Sequence, residues 1–464
     1  MKKAGIFFLV FFFGITVQGF SQNQKPRVIA MTDGEVDDRC SMVRLLLHTN
    51  DIELLGIIQT NSVYQRKGWV ADKWLDKQVD AYEQIYPNLV IHDPNYPRPD
   101  VLRSKLFVGD NDSAHITVDF NSPARIPGQK PAIDPSAWND TEGSDKIVKI
   151  LLEKDPRKVH IQAWGGGNTA AKAFYKLKAQ YPKEYKRAVS KVVMYNIWYQ
   201  DGAGSYIEQN HPEVTMLLSH HFSGTWDYNS QVYTHEFITN YVKSTPLGKL
   251  YPQDYISEGD NPSFLYSLSN GLRSDENPTY GGWGGRFYKI PGFQNVYRDA
   301  DKGSYVQWIE TANRDFAMRL KWSITPKYEG ANHKPKIKLG VSRDITVKSG
   351  EFVKLKAAIT DNDSTDYQEA WLKVKELFEQ QGRDFEWFKN MMSRRPKTSA
   401  LWWQYKDAGT YNGNIDLGYN QKEEVQFKAP NVKEKCTVHF ILEAKDNGSP
   451  ALTSYERVII TILP

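Results

Sequence analysis

Two strand–helix–strand units in the first half of the sequence constrain the fold more than any other feature. Apolar runs and helical spacings place the first strand, helix and strand at 27–31, 37–48 and 52–60. The same patterns place the second unit at 159–164, 169–179 and 191–197. Between them, residues 69–86 carry large apolar side chains at mostly three- to five-residue spacings, typical of an amphipathic helix on a sheet. This alternation predicts an α/β domain, a mostly parallel sheet flanked by helices, over about 25–330.

The hydrophobic period changes near residue 335, after a polar segment, 331–335, that ends in proline. Beyond it, alternating apolar and polar residues predict short strands at 351–360, 424–428, 437–444 and 456–463. This pattern indicates a small antiparallel, immunoglobulin-like β-sandwich over 335–464. A helical insert is predicted at 369–393, with a break at Gly382.

The first 21 residues have the composition of an export signal. Lys2 and Lys3 precede an apolar run at 6–17, and Gly19-Phe20-Ser21 places small residues at both cleavage positions. The run is too short for an anchor, and no later segment approaches the roughly 18 apolar residues that a transmembrane helix needs. We therefore expect a signal peptide at 1–21 and a mature protein exported to the periplasm or beyond, with no membrane span.

Charge and cysteine content narrow the classes of partner. Lys and Arg number 59 against 55 Asp and Glu, a net charge of +4 that argues against a nucleic-acid polymer. Aromatic residues reach 13%, a content common where flat apolar sugar faces are bound. Of the two cysteines, Cys40 falls within an apolar helical stretch, which predicts a buried free thiol rather than a disulfide.

The run Thr32-Asp33-Gly34-Glu35-Val36-Asp37-Asp38 stands where the first strand ends and its helix begins. Ligands of open parallel sheets bind at this edge. Crowded carboxylates repel one another, so a cation is expected among them, and Ca²⁺, which takes six to eight oxygen ligands, suits the residue types. The absence of nearby histidines argues against zinc. In the alternative interpretation, Asp33 and Asp37 only cap the helix and Asp38 favours its positive end, although one cap needs one Asp.

On these residues the sequence resembles the inosine-uridine nucleoside hydrolase superfamily, whose first strand leads into a DxDxxxDD signature. That signature is read here from Met31 to Asp38. The sequence resembles still more closely a branch of exported bacterial proteins described as cellulose-binding with a nucleoside hydrolase-like domain. The segments 164–168, 258–265 and 281–286 carry this closer resemblance, which extends over nearly the whole mature chain.

The resemblance implies a set of roles for individual residues. Asp33 would be both a Ca²⁺ ligand and the general base that activates water. The further Ca²⁺ ligands would be Asp38, Asp260 and the backbone carbonyl of Trp164. Sugar hydroxyls would be bound by Asp37, by Glu208 and Asn210, which resemble a Glu-x-Asn pair of the family, and by Asn61. With no enzyme carboxylate in covalent attack, the product would be inverted.

The sequence departs from the family pattern in three ways. Met31 replaces the first Asp of the signature, and Gly34-Glu35 replaces the Pro-Gly pair that usually follows the second. Gly259 stands where the family often places a His that protonates a purine leaving group. These departures weaken nucleosides as substrates more than they weaken glycoside cleavage.

Two glycine-rich segments flank further candidate substrate contacts. Gly165-Gly166-Gly167 lacks the Lys-Ser/Thr of a P-loop, so we expect a tight turn near the sugar, with Asn168 as helix cap and candidate ligand. Trp283 lies among four glycines at 281–285. It is either a packed residue under the domain junction or a stacking platform for a sugar or leaving group.

Together these features predict an exported, calcium-dependent hydrolase of N- or O-glycosidic bonds, acting on a ribose-like furanose in a small-molecule glycoside or a polysaccharide. The alternative is a carbohydrate-binding protein of the cell envelope, specific for a cellulose-like polysaccharide, that kept the pocket and lost turnover. Met31 and Gly259 favour the binding protein, and the four aspartates favour catalysis.

Overall fold

A computed structural model describes residues 24–68, 70–117, 133–226, 235–361, 363, 368–393 and 398–464. The predicted signal peptide at 1–21 lies outside the described residues, as does Trp69 at the start of the helix predicted at 69–86.

The larger part of the chain is built on one eight-stranded sheet in the order β3-β2-β1-β4-β5-β6-β8-β7. Its strands are β1 (Arg27–Thr32), β2 (Glu53–Gln59), β3 (Leu106–Val108), β4 (Val159–Ala163), β5 (Val192–Ile197), β6 (Thr215–Ser219), β7 (Phe287–Lys289) and β8 (Val296–Asp299). All neighbouring pairs are parallel except β7–β8, at the edge. The predicted fold class, a mostly parallel sheet flanked by helices, is confirmed.

The helices of this part cover both faces of the sheet. They are α1 (Val36–Leu47), α2 (Trp74–His92), α3 (Pro99–Arg103), α4 (Glu142–Leu152), α5 (Asn168–Gln180), α6 (Pro182–Val189), α7 (Ala203–Asn210), α8 (His235–Phe237), α9 (Asn261–Ser267) and α10 (Gly303–Ile324). Because helices cover both faces, central strands such as β1 are buried along their whole length and consist of near-continuous apolar residues.

The strand order reverses between β1 and β4, the position at which open parallel sheets bind ligands. The chain runs outward from β1 through β2 to β3, then returns to the other side of β1 and continues from β4 to β6. At such a reversal, the connections leave the two strands on opposite faces and open a crevice at their carboxyl ends. Met31 pairs with Ala163, so β1 and β4 end side by side.

The C-terminal part is a β-sandwich. Its strands are β9 (Lys336–Leu339), β10 (Asp344–Lys348), β11 (Phe352–Thr360), β12 (Thr398–Gln404), β13 (Glu424–Lys428), β14 (Cys436–Asp446) and β15 (Thr453–Leu463). A four-stranded sheet, β10-β15-β14-β12, and a three-stranded sheet, β13-β11-β9, share one apolar core. Pairing is antiparallel as predicted, except that β10 and β15 are parallel.

The predicted insert consists of two helices, α11 (Gln368–Gln380) and α12 (Phe385–Ser393). They are separated at the predicted break, where Gly382 has a φ of +63°. Glycine suits this position because the left-handed region is strained for residues with a Cβ.

The two parts pack directly on each other. Arg457 of the sandwich is buried and donates hydrogen bonds to the carbonyls of Tyr280 and Gly281 at 2.7 and 2.9 Å. Cys40 is buried and Cys436 half-buried, and neither forms a disulfide. Within the described ranges, none of the helices combines the length and apolar character of a membrane-spanning segment.

Candidate functional site

The acidic run forms a tight loop at the carboxyl end of β1. Gly34 has a φ of +75°, a conformation that favours glycine. Asp38 Oδ1 accepts hydrogen bonds from the Thr32 hydroxyl and from the amides of Asp33 and Gly34, the latter two at 3.1 and 3.4 Å. Asp38 therefore holds the loop against the end of β1. Its role is not limited to a favourable interaction with the positive end of the helix dipole.

The loop does not support the interpretation in which Asp33 and Asp37 only cap the helix. The N-cap residue of α1 is Glu35, and its side chain makes no capping hydrogen bond. Asp33 Oδ1 accepts the Glu35 amide at 3.2 Å. Its other oxygen, Oδ2, is buried without a hydrogen-bond partner of normal geometry in the described part of the chain.

Asp260, more than two hundred residues away in sequence, joins this loop. It precedes α9, and oxygens of Asp37, Asp38 and Asp260 all lie within 4.8 Å of one another. Asp260 is fully buried, and both of its carboxylate oxygens lack hydrogen-bond partners among the described residues. Buried polar atoms are nearly always paired, so this carboxylate lies where a ligand is expected.

Electrostatics at the cluster favour a cation. Burial raises the pKa of Asp33, and burial together with Asp33, Asp260 and Asp37 raises the pKa of Asp38 well above its usual range. Burial, with Asp37, Asp33 and Glu35, does the same to Asp260. Burial, Asp33 and Asp37 raise the pKa of Glu35 to about 8. For Asp38, Asp260 and Glu35, part of the shift reflects repulsion between carboxylates, which a positive ion at this position would relieve.

The donor set fits Ca²⁺. Two oxygens bound to one Ca²⁺ at about 2.3 to 2.6 Å can be at most about 5.2 Å apart. The trio of Asp37, Asp38 and Asp260 meets that limit at 4.8 Å and offers only oxygen. Asp33 lies against this trio without belonging to it. The geometry thus makes Asp37, expected to bind sugar hydroxyls, a candidate ligand as well.

The turn after β4 lies against Asp33. A Cβ on Gly165 would be 2.7 Å from the carboxylate carbon of Asp33, so only glycine permits this approach. The Trp164 carbonyl, an expected Ca²⁺ ligand, accepts a hydrogen bond from the Gln200 side chain. The Trp164 indole donates to Ser263 at 2.8 Å, which joins β4 to the segment of Asp260.

Asn61 and Asn168 also lie at this edge, beside an acid that the sequence analysis did not single out. The Asn61 carbonyl accepts the Gly166 amide at 3.0 Å, and the side-chain oxygens of both asparagines are buried without partners among the described residues. Asp201 accepts the amides of Asn168 and Ala203, each at 2.9 Å, at the starts of α5 and α7. Burial raises the pKa of Asp201 to about 7. The sequence feature that could have identified Asp201 is its position shortly after β5.

Glu208 and Asn210 lie on α7 and contact residues outside the acidic cluster. Glu208 is buried in an ion pair with Arg298 at 2.7 Å. The Asn210 carbonyl accepts a hydrogen bond from Lys178 Nζ at 3.0 Å. Lys178 stands ten residues after Asn168 on α5, about 15 Å along the helix toward the opposite edge of the sheet.

Of the two interpretations of Trp283, the structure agrees with the packed residue under the domain junction. It is 1% exposed, belongs to the core shared with Tyr455 of the sandwich, and has Lys334 Nζ 5.1 Å from its ring centroid. It therefore lies at the junction of the two parts.

Two further features of the site are the position of His115 and the packing around Gly259. His115, in the loop after β3, lies 2.8 Å from Asp110 through Nδ1 and stacks on Trp138 with ring centroids 4.4 Å apart. A Cβ on Gly259 would be 2.7 Å from Asp37 Oδ2 and 3.2 Å from the Phe222 ring. There is accordingly no room for a histidine at residue 259.

Comparison with known proteins supports the family resemblance. Residues 27–287 match the family model for the nucleoside hydrolase-like domain of the cellulose-binding Sde182 protein, and residues 395–462 match the C-terminal domain of the cellulose-binding protein Sde0182. Among solved structures, a nucleoside hydrolase-related protein from Saccharophagus degradans, described as associated with carbohydrate metabolism, is 26% identical. That match covers 95% of this chain and all of that one, with a TM-score of 0.77.

More distant solved structures include a plant nucleoside hydrolase, PpNRh1, at 13% identity, and an inosine-guanosine nucleoside hydrolase at 14%. They cover 64% and 63% of this chain and 99% of their own, each with a TM-score of 0.36. No curated protein matches the chain.

Proposed function

Because the chain belongs to the family of cellulose-binding proteins with a nucleoside hydrolase-like domain, we propose that it is an exported, calcium-dependent hydrolase of glycosidic bonds. Its substrate is an N- or O-glycoside of a ribose-like furanose, within a small molecule or a polysaccharide. The observation that carries this proposal is the convergence of Asp37, Asp38 and Asp260 within 4.8 Å, beside the unpartnered oxygen of Asp33.

In this proposal Asp38 and Asp260 hold the ion, with Asp33 and the Trp164 carbonyl as further ligands. Asp37 is placed either as a ligand or as a partner of sugar hydroxyls. Calcium, when bound, lowers the pKa of a water molecule at the site.

Asp33 Oδ2 takes the proton from the attacking water. The hydrogen bond from the Glu35 amide fixes the other oxygen of Asp33, and the backbone of Gly165 packs against the carboxylate. As the new carbon–oxygen bond forms, the glycosidic bond breaks and its electron pair leaves with the departing group. A single displacement of this kind inverts the anomeric centre.

The proposed sugar contacts at this edge are Asn61 and Asn168. Their buried, unpartnered side-chain oxygens can each accept a hydroxyl proton. Glu208, Asn210 and Trp283 have other contacts in the structure and are not among these proposed contacts.

A second candidate is a carbohydrate-binding protein without turnover, and the packing around Gly259 favours it. Asp37 and Phe222 fill the space that a histidine acid would need, so this position cannot supply a proton to a poor leaving group. Residue 31 is also methionine, where the family signature has an aspartate.

Aryl furanosides separate these two candidates, because nitrophenolate leaves without protonation. We expect the full-length protein with Ca²⁺ to hydrolyse 4-nitrophenyl β-ribofuranoside, and Asp33→Asn to lower kcat by about 10²- to 10⁴-fold. Asp76→Asn, an exposed carboxylate on α2, is the matched control and should leave kcat unchanged. Calcium-dependent binding of cello-oligosaccharides, with no release of nitrophenolate by the wild type, would establish the binding protein instead.

A further inference from the structure

Asp260 is held in the acidic cluster without any hydrogen bond to its own carboxylate from the described residues. Because no hydrogen bond from the described part of the chain holds its carboxylate, the position of Asp260 depends on how the surrounding chain is anchored. We infer that the buried ion pair between Arg44 and Glu258 positions Asp260 for the cation. This inference rests on the calcium site proposed above, and it makes Arg44 and Glu258 positioning residues for metal binding.

Arg44 is fixed on α1, the helix whose first turn carries Asp37 and Asp38. Its guanidinium is fully buried and lies 2.7 Å from Glu258 Oε2, which is also fully buried. The same guanidinium donates to the Ala312 carbonyl on α10 at 3.3 Å and lies 4.0 Å from the ring centroid of Phe316. Arg44 is thus held on several sides and cannot move without disturbing α10.

Glu258 is fixed on the other side, in the turn that carries Asp260. Its amide donates to the Trp226 carbonyl at 2.7 Å, and its carbonyl accepts the Asn261 amide at 3.1 Å. The Asn261 side chain donates to the same carboxylate oxygen that faces Arg44. Glu258 and Asn261 flank Asp260 in sequence, so the turn is anchored before and after the proposed ligand.

The pair therefore joins the helix that carries two of the acids to the turn that carries a third. Without it, the mutual repulsion of the carboxylates would favour separation of α1 from the turn. The geometry is instead kept ready for the ion, and binding does not have to order the turn. Outer partners that orient metal ligands typically contribute 10- to 100-fold to metal affinity.

The test uses a double variant, because removing one member leaves a buried unpaired charge that is strongly destabilising. Arg44→Met/Glu258→Gln removes both charges, while the side-chain amide oxygen introduced at position 258 still accepts from Asn261. We expect this variant to bind Ca²⁺ 10- to 100-fold more weakly by calorimetry, with a native circular dichroism spectrum.

The matched control is a second group of buried charges, at the other end of α1, in which Arg319 also pairs with Asp51 and Asp315 also pairs with Lys334. Arg319 lies 2.9 Å from Asp315 and donates to the carbonyl of Leu47, the last residue of α1. Arg319→Met/Asp315→Asn should lower the melting temperature and leave the calcium dissociation constant unchanged. A purely structural role for Arg44 and Glu258 predicts the same result for both double variants.

The outcomes separate the two proposals. A wild type that binds no Ca²⁺ overturns the calcium site and the inference with it. A wild type that binds Ca²⁺ while Arg44→Met/Glu258→Gln binds it equally well overturns the inference alone. If that variant does not fold, Asn261→Ala removes a neutral contact of Glu258, and we expect a several-fold loss of affinity. Unchanged affinity in Asn261→Ala would then count against the inference.

Discussion

Calcium binding is expected to release protons, because the carboxylates of the cluster are too close to be ionised together without an ion. Oxygens of Asp37, Asp38 and Asp260 lie within 4.8 Å of one another. At an effective dielectric constant of about 20, the repulsion between each pair of charges at that separation costs about 3.5 kcal/mol.

This repulsion predicts that the metal-free cluster holds protons. The last of the three carboxyls to ionise faces two charges, which raise its pKa. Burial and the neighbouring carboxylates raise the pKa of both Asp38 and Asp260 well above the usual range, in agreement with this direction. The metal-free cluster should therefore retain protons that Ca²⁺ displaces.

Calorimetric titration with Ca²⁺ in two buffers of different ionisation enthalpy measures the number of protons released. We expect release at pH 7 that declines as the pH rises, with affinity that increases over the same range. Asp260→Asn should release fewer protons than the wild type at pH 7, and the exposed control Asp76→Asn should match the wild type. Tight Ca²⁺ binding at pH 7 without proton release would refute the reasoning.

Three further predictions follow from individual contacts. Gly165→Ala should weaken Ca²⁺ binding at least tenfold by calorimetry, since the new Cβ would be 2.7 Å from the Asp33 carboxylate. Burial lowers the pKa of His160 to about 3, so folding excludes a proton that the unfolded chain binds below about 6.5. Stability should fall as pH drops from about 6.5 towards 3, by up to about 1.4 kcal/mol per pH unit, and acid denaturation of His160→Met should be shallower. Arg457→Met should lower the free energy of unfolding in urea by about 1 to 3 kcal/mol, because the Gly281 carbonyl loses a buried donor.

Much of the local structure could be predicted from the sequence. The first strand and its helix, expected at 27–31 and 37–48, are Arg27–Thr32 and Val36–Leu47, because a buried strand and an amphipathic helix each impose their own period. The insert likewise breaks at Gly382, where the backbone is left-handed. These features depend on residues that are close together in the sequence. The sequence alone can therefore predict them.

Which residues reach the site could not be predicted from spacing in the sequence, because it depends on the tertiary structure. Glu208 and Asn210 match a sugar-binding pair in sequence, yet in the structure Glu208 pairs with Arg298, and the Asn210 carbonyl accepts a hydrogen bond from Lys178. Asp201, without a motif, lies between two helix starts at the crevice. A helix advances only about 1.5 Å per residue, so direction and length decide which edge a side chain reaches.

The sequence by itself determined that acidic residues gather at the end of a buried strand, and it matched Asp260 to them only by resemblance. The fold decided that they meet, because the strand order reverses beside β1 and the turn before α9 is anchored to α1 through Arg44. Spacing along the chain cannot specify that approach. It arises from which strands become neighbours and from the buried contacts that hold distant segments together.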